Sequence, residues 1–309
     1  MTDINPTKTI VYKTVGKLDI SLDIYLPSKT AQKVPILLWY HGGGLLQGHR
    51  NSLTPWMRKA VAQHNIAVIS ADYRFAPQVG VADILEDVQD SIRFIRTNLA
   101  SHLDDPASID PSRLAVSGSS AGGYLALLAG LYIDPKPNVI LPIYPITDPL
   151  GEFFRDPQPP AMGRPLVSTH VVAEFLDPKA EPVANNAGNS ARQNMYIRMQ
   201  ADASLAKLWK VPEDAAAAKK WRLAKNVFDN RLPPAYFLHG DADTAVGVEQ
   251  ADEVVGAMLG CDIEVQYERV HQKDHFLDAG PDYDNEVFWA FMLRHLKRAG
   301  RVDVRHQLS

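Results

Sequence analysis

Gly118-Ser119-Ser120-Ala121-Gly122 sets a serine at the centre of a pentapeptide bounded by glycines. This is the Gly-x-Ser-x-Gly spacing of a nucleophile held on a sharp strand-to-helix turn. Small residues are needed there because the turn carries strained backbone and brings strand and helix close together. The serine oxygen then stands above the sheet, and the following helix points its amides at developing negative charge. An ordinary glycine-rich turn shares this spelling, so the flanks matter. A short apolar strand, Arg113–Val116, precedes it and a helix apolar on all sides, Ala121–Leu131, follows. Ser117 and Ser119 lie off the centre of the pentapeptide, which leaves Ser120 as the candidate nucleophile.

His41-Gly42-Gly43-Gly44 closes another apolar run, Val34–Tyr40. Consecutive glycines leave backbone N–H groups bare to face a substrate oxygen. The amides of Gly43, Gly44 and Ala121 are therefore the candidate oxyanion hole, where one donor is worth about 3–4 kcal/mol at the transition state. A phosphate-binding loop would need a Gly-Lys-Ser/Thr continuation, and none follows. His41 is read as ordering this loop. In a Ser-acid-His order, the acid and base come later in the chain. Asp241 and Asp243 follow the strand-like run Ala235–Leu238, and Asp148 follows Val139–Tyr144. An aspartate such as Asp241 can equally cap the next helix. His271 and His275 both follow the last strand-like run.

The rest of the chain predicts the frame. Lys8–Val15 and Leu18–Leu26 flank Gly16-Lys17, and the second run alternates Leu18, Ile20, Leu22, Ile24 and Leu26 as a half-buried antiparallel strand does. Val34–Tyr40 and Ile66–Ser70 are nearly continuous apolar runs, as in strands covered on both faces. Ser52–His64 has helical spacing. Ile84, Leu85, Val88, Ile92, Ile95 and Leu99 mark a long amphipathic helix. Ile263–Tyr267 reads as the last strand, with helices at Val248–Leu259 and Glu286–Leu296. The expected fold class is α/β, a mostly parallel, mixed sheet with helices on both faces. Between Pro149 and Pro234 the strand–helix rhythm stops, and only Pro212–Leu223 is helix-like. A structureless loop of that length is uncommon inside a domain. The expectation is a core of residues 1–148 and 233–309 with an inserted cap at 149–232. Phe153, Phe154, Phe175, Met195, Tyr196, Met199 and Trp209 would either line an acyl pocket or form the cap's own core.

Taken in order, His41-Gly42-Gly43-Gly44, Asp72-Tyr73-Arg74-Phe75-Ala76-Pro77 and Gly118-Ser119-Ser120-Ala121-Gly122-Gly123 resemble the hormone-sensitive-lipase-like branch of the α/β-hydrolases. That branch consists mainly of carboxylesterases and lipases. The resemblance implies the α/β-hydrolase fold and a structural brace at Asp72 and Arg74. The stretch His239–Val246 looks like the family's acid loop, which selects Asp243. Asp274-His275-Phe276 looks like its histidine loop, which selects His275. The chain departs from the branch at Ser119, Phe75 and Gln78, where an acidic residue, Leu and Glu are more usual.

Composition narrows the rest. The chain has 309 residues, 46% hydrophobic and 22% charged, with a formal net charge of −4. These are globular proportions, and the lack of a Lys/Arg run argues against nucleic acid or an anionic membrane as partner. Cys261 is the single cysteine, so no internal disulfide can form. Met1–Pro6 lacks the pattern of a signal sequence, and no apolar run is long enough to span a bilayer. The expectation is a cytoplasmic protein without stable membrane insertion. No metal-ligand spacing is present, and Asp83, Glu86, Asp87 and Asp90 read as a solvated helix face. No metal or cofactor is expected. The partner is a small-molecule ester or acyl substrate, and self-association as a homodimer is left open. The expected reaction is ester hydrolysis through an acyl-enzyme on Ser120. Thioester, amide or polyketide-like acyl substrates, a lyase reaction, and a receptor built on a hydrolase fold are the alternatives.

Overall fold

The computed structural model describes residues 5–28 and 33–297; of the N-terminal stretch read for a signal sequence, Met1–Ile4 lies outside the described residues. One sheet of eight strands runs in the order β1 (Lys8–Val15), β2 (Leu18–Tyr25), β4 (Ala67–Ala71), β3 (Val34–Tyr40), β5 (Ile109–Ser119), β6 (Val139–Ile143), β7 (Ala235–Gly240) and β8 (Val265–Val270). β1 and β2 pair antiparallel, and β2 also meets β4 antiparallel. All pairings from β4 through β3 to β8 are parallel. This is the mixed, mostly parallel α/β sheet that the alternation of apolar runs implies.

The period of two along each strand divides the core into two layers. In β3, Ile36, Leu38 and Tyr40 join one cluster, while Leu37 and Trp39 join the other. The first cluster takes α2 (Val81–Thr97) and α3 (Ala121–Tyr132). The second takes α1 (Pro55–Gln63), where Trp56 packs on Trp289 with ring centroids 5.0 Å apart. Proline at the first position of α1 costs nothing, since that N–H has no helical partner. α3 is buried along its whole length up to Leu131, which explains why it has no polar face. Each large apolar side chain so buried stabilises the fold by about 1.5–3 kcal/mol.

Residues 149–232 enter between β6 and β7 as short helices and turns, the longest being α4 (Met195–Ala201). Met195, Ile197, Leu205, Trp209 and Leu223 from this segment join the same cluster as Leu45, Leu46 and Tyr124. The segment thus shares the core of the sheet's α3 face. Beyond it come α5 (Glu249–Gly260), also on that face, and α6 (Glu286–His295), which packs beside α1.

Three of the boundaries that differ from the sequence reading have a visible cause. β5 begins at Ile109, because Val34 of β3 pairs with it across an irregularity in the ladder. The last strand is Val265–Val270, since the amide of Ile263 instead bonds back to the Met258 carbonyl at 3.0 Å as α5 ends. The helix expected over Pro212–Leu223 is only Ala215–Lys219, capped by the Asp214 carboxylate, which accepts from the Ala217 amide at 2.9 Å. Tertiary bonds pull the chain out of helix after it: the Tyr124 hydroxyl donates to Trp221 O and the Leu223 amide to Thr147 O.

The Asp-Tyr-Arg segment ends at a buried ion cluster. Asp87 on α2, expected on a solvated face, is instead fully buried and accepts from the Arg74 amide at 3.0 Å and the Lys13 ammonium at 2.7 Å. Arg74 Nε reaches the same carboxylate at 2.9 Å. Removing one partner of such a cluster leaves a buried charge uncompensated. Asp87→Ala should therefore lower the unfolding free energy by about 3–5 kcal/mol, read from urea denaturation; a loss under 1 kcal/mol would show that the cluster relaxes into water.

Candidate active site

Ser120 sits on the turn between β5 and α3 with φ 58° and ψ −119°. A side chain in that region stores about 1–3 kcal/mol of strain, and its surroundings hold it there. The Ser120 amide donates to Ile143 O at 2.8 Å, and Ser120 O accepts from Gly123 at 2.9 Å. A Cβ on Gly122 would lie 2.0 Å from Tyr40 O, and one on Gly118 would lie 2.2 Å from Gly122 O. No other residue fits either position, and that closeness presses the turn against the end of β3.

The glycine loop leaves β3 at this contact. Gly43 has φ 108° and Gly44 φ 68°, and a Cβ on Gly42 would come 3.1 Å from Ser120 Cβ. The loop's carbonyls are taken: Gly43 O accepts from Leu46 N at 3.0 Å, Gly44 O from Trp209 Nε1 at 2.7 Å, and Leu46 O from Arg192 Nε at 2.7 Å. Among the described residues the amides of Gly43 and Gly44 meet no acceptor. His41 is wholly buried and donates from Nδ1 to Gly42 O at 2.8 Å, with its ring stacked on Tyr73 at 4.4 Å. Burial lowers its pKa to about 4, so it is neutral near pH 7 and orders the loop.

Asp243 and His275 are paired, and His275 borders the same cavity as Ser120. His275 Nδ1 lies 2.6 Å from Asp243 Oδ2, and the carboxylate side chain is fully buried. Asp243 Oδ1 accepts from the amides of Ala245 and Val246, both at 2.8 Å. Burial alone would raise the Asp243 pKa, but the charge of His275 and hydrogen bonds from His239 and His275 outweigh it and hold the carboxyl well below the usual range. The His275 ring lies 4.3 Å from Tyr144 and 4.7 Å from Phe276, centroid to centroid.

The rival residues stand elsewhere. Asp241 pairs with His271 at 2.9 Å on the surface, where the His271 side chain is 80% exposed. Asp148 forms an ion pair with Arg222 at 2.7 Å. Ser117 donates to Leu141 O inside the sheet. A cavity of about 50 Å³ is bordered by Gly43, Ser120, Met162, Arg164, Tyr196 and His275. Two larger hollows, near Tyr132 and near Leu103, hold none of the candidate residues. Of the seven candidate pocket residues in 149–232, Tyr196 borders this cavity. Met195, Met199, Trp209 and Phe154 are in the core, with Phe153 and Phe175 packed partly buried against it.

Several site residues carried no sequence signal. His239 is fully buried, with Nε2 3.0 Å from Val246 O and 3.3 Å from Asp243 Oδ2. Tyr144, at φ 34°, donates to the buried Asp278 at 2.5 Å while its ring faces His275. Gln47 Oε1 accepts from the Tyr196 amide at 3.0 Å. Among the described residues there is no cluster of His, Cys, Asp or Glu able to hold a metal, and no helix long and apolar enough to cross a membrane.

A mixed eight-stranded sheet with a Ser120 turn at the carboxyl edge of β5 is the architecture of the α/β-hydrolases. Within them, the model of the BD-FAE family matches residues 22–258, and the chain belongs to that family. Among solved structures it resembles a Staphylococcus aureus protein of unknown function, with a TM-score of 0.72 at 20% identity, covering 94% of this chain and 98% of the other. A propionate-bound esterase 2 from Thermogutta terrifontis aligns with a TM-score of 0.61 at 20% identity, covering 94% and 93%. At such identities these likenesses speak for the fold. Among curated proteins, 5-methylorsellinic acid synthase of Aspergillus terreus is 25% identical over 96% of this chain and 13% of its own length. The non-reducing polyketide synthase Preu6 of Preussia isomera is 30% identical over 62% of this chain and 9% of its own. The chain thus spans only about a tenth of the length of these relatives.

The His41 shift has a consequence for stability. Between about pH 6.5 and 4 the unfolded chain binds a proton at His41 that the folded chain refuses, so stability is full above 6.5 and falls as pH drops towards 4. The loss is about 3 kcal/mol. His41→Gln should flatten the profile of unfolding free energy against pH by that amount over this window; parallel profiles would mean that His41 is protonated in the folded state.

Proposed function

We propose that this chain is a serine hydrolase that cleaves carboxylic esters through an acyl-enzyme on Ser120. One observation carries the reading: an imidazole hydrogen-bonded to a buried carboxylate borders the same cavity as a serine on a strained turn. His275 Nε2 removes the Ser120 proton as Oγ attacks the ester carbonyl. Asp243 keeps the other ring nitrogen protonated and stabilises the imidazolium that forms. The amides of Gly43, Gly44 and Ala121 receive the oxyanion. His275 then gives its proton to the departing alcohol, and water attacks the acyl-enzyme by the same route, releasing the acid and restoring the Ser120 hydroxyl. Residues 149–232 act as the cap over this site. Its Tyr196 hydroxyl donates to Ala245 O at 2.6 Å, two residues from the triad acid.

The relatives favour one second reading. One of them is named as a non-reducing polyketide synthase, and the same groups would take an acyl chain from a thioester, whose thiolate leaves with less need of a proton.

A fluorophosphonate probe should label the wild-type chain and fail on Ser120→Ala, with kcat on p-nitrophenyl butyrate reduced about a millionfold. Asp243→Asn should cost about ten-thousandfold by leaving the imidazole in the wrong tautomer. Equal labelling of wild type and Ser120→Ala removes Ser120 from the mechanism. A matched ester and thioester of one acyl group, compared by kcat/KM, separates the two readings.

A further inference from the structure

The proposed acyl-transfer site has one permanently charged group at its edge. Arg164 borders the cavity that holds Ser120 and His275, and no Asp, Glu or Lys borders it among the described residues. The other polar side chains there are turned to the protein. Tyr196 donates to Ala245 O, and Gln47 binds Gln193 through Nε2 and the Tyr196 amide through Oε1. The Arg164 side chain is exposed and has no hydrogen bond or ion pair to any described residue.

Its backbone, by contrast, is held in place. Met162 (φ 55°) and Gly163 (φ 65°) form a tight turn just before it, and the Arg164 amide closes that turn on Ala161 O at 3.1 Å. Pro165 confines Arg164 to extended backbone, observed at φ −66°, ψ 151°. The turn is tied to the acid loop: Met162 N donates to Thr244 Oγ1 at 2.8 Å, and Ala161 N to Gln200 Oε1 at 3.0 Å. Gln200 Nε2 in turn donates to Thr244 O at 2.7 Å. Thr244 is the neighbour of Asp243, so the backbone that carries Arg164 is tied to the loop that carries the triad acid. The carboxylate on the same Thr244, Asp274, is already engaged: Oδ1 accepts from the amides of Thr244 and His275 and Oδ2 from the Thr244 hydroxyl.

An exposed guanidinium with no protein partner among the described residues, on a residue that borders the same cavity as Ser120, is a recognition group for an anion, which it binds through two parallel N–H donors. We propose that Arg164 makes this site selective for acyl substrates that carry a second, anionic group, a carboxylate or a phosphate-type oxyanion, close to the scissile bond. This rests on the acyl-enzyme reading of Ser120 and adds the substrate class to it. The ester carbonyl sits at Ser120 under the glycine loop, while the anionic substituent reaches back to Arg164.

The test compares p-nitrophenyl esters of three similar acids: pentanoic acid, glutaric acid with its second carboxylate free, and 4-phosphonobutyric acid. Wild type should favour at least one anionic ester by tenfold or more in kcat/KM over the neutral one, and the larger preference names carboxylate or phosphonate as the group read. In Arg164→Gln that ratio should fall about 10- to 100-fold, the usual worth of a charged hydrogen bond. Arg164→Lys should keep part of it, and raising salt should erode it in wild type but not in Arg164→Gln. An equal ratio in wild type and Arg164→Gln overturns the proposal. Calorimetric titration of Ser120→Ala with monomethyl glutarate and methyl pentanoate judges Arg164 without turnover. Tighter binding of the anion that vanishes on adding Arg164→Gln supports the assignment, and equal binding refutes it. If wild type hydrolyses none of the three esters and escapes the fluorophosphonate, the acyl-enzyme reading fails, and this titration still decides the anion site.

Discussion

The site depends on a contact with no spare room. A Cβ at Gly122 would sit 2.0 Å from the Tyr40 carbonyl, and one at Gly118 would sit 2.2 Å from the Gly122 carbonyl. This puts the end of β3, the end of β5 and the start of α3 against one another. Two loops far apart in sequence, the glycine loop after Tyr40 and the turn at Ser120, therefore share a wall. Interiors packed to this density transmit displacement instead of absorbing it. A methyl group at either glycine would separate the loops and relax the serine out of its left-handed conformation.

A second consequence concerns how the glycine loop stays in one shape, since three glycines in succession lose much conformational entropy on ordering. Residues 149–232 supply the constraint. Trp209 takes the Gly44 carbonyl, Tyr196 packs beside Gly44, and Arg192 takes the Leu46 carbonyl. Arg192 is 4% exposed and, among the described residues, faces no carboxylate: its other partners are Ala76 O at 3.2 Å and Gln78 Oε1 at 2.7 Å. Burial lowers its pKa to about 10, which still leaves it charged at neutral pH. The rings of Phe75 and Phe175, each within 5.5 Å of the guanidinium carbon, help to solvate it. Phe75 and Gln78 are two of the positions where this chain departs from the hormone-sensitive-lipase-like pattern, and here they work together around one buried cation.

Much of this was legible in the sequence because it depends on local chemistry. Continuous apolar runs located the parallel strands, and the glycines around Ser120 and after His41 announced turns that only small residues can make. The choice of Asp243 over Asp241 needed the family resemblance, because both follow the same strand. The structure separates them by burial, with His275 on the first and the exposed His271 on the second. Tertiary bonding was not legible. Nothing in the run Pro212–Leu223 reveals that Tyr124 and Thr147 will end its helix early. Asp87 reads as one more acid on a polar face, yet it meets Arg74 and Lys13 across the sheet edge. Tyr144, Gln47 and Arg164 have ordinary neighbours in sequence; only the fold brings Gln47 and Arg164 to the cavity and Tyr144 against His275.

Two buried aspartates near the same imidazole show how far surroundings, not residue type, decide chemistry. Asp243 receives two backbone amides at Oδ1 and two imidazoles at Oδ2, so its charge is favoured despite burial. Asp278 is equally buried, but its bonds come from the neutral hydroxyl of Tyr144 and the indole of Trp56, and burial raises its pKa. Between them lie the rings of His275 and Tyr144, in contact and tilted at 55° to each other. The imidazole thus has a fixed negative charge on one nitrogen and a polarisable ring backed by a reluctant acid beside it. Groups whose environments push their ionisation in opposite directions can divide a proton-transfer task. In the proposed reaction Asp243 is the carboxylate bonded to the His275 ring, which is the condition for an imidazole to take a proton from a serine and give it back.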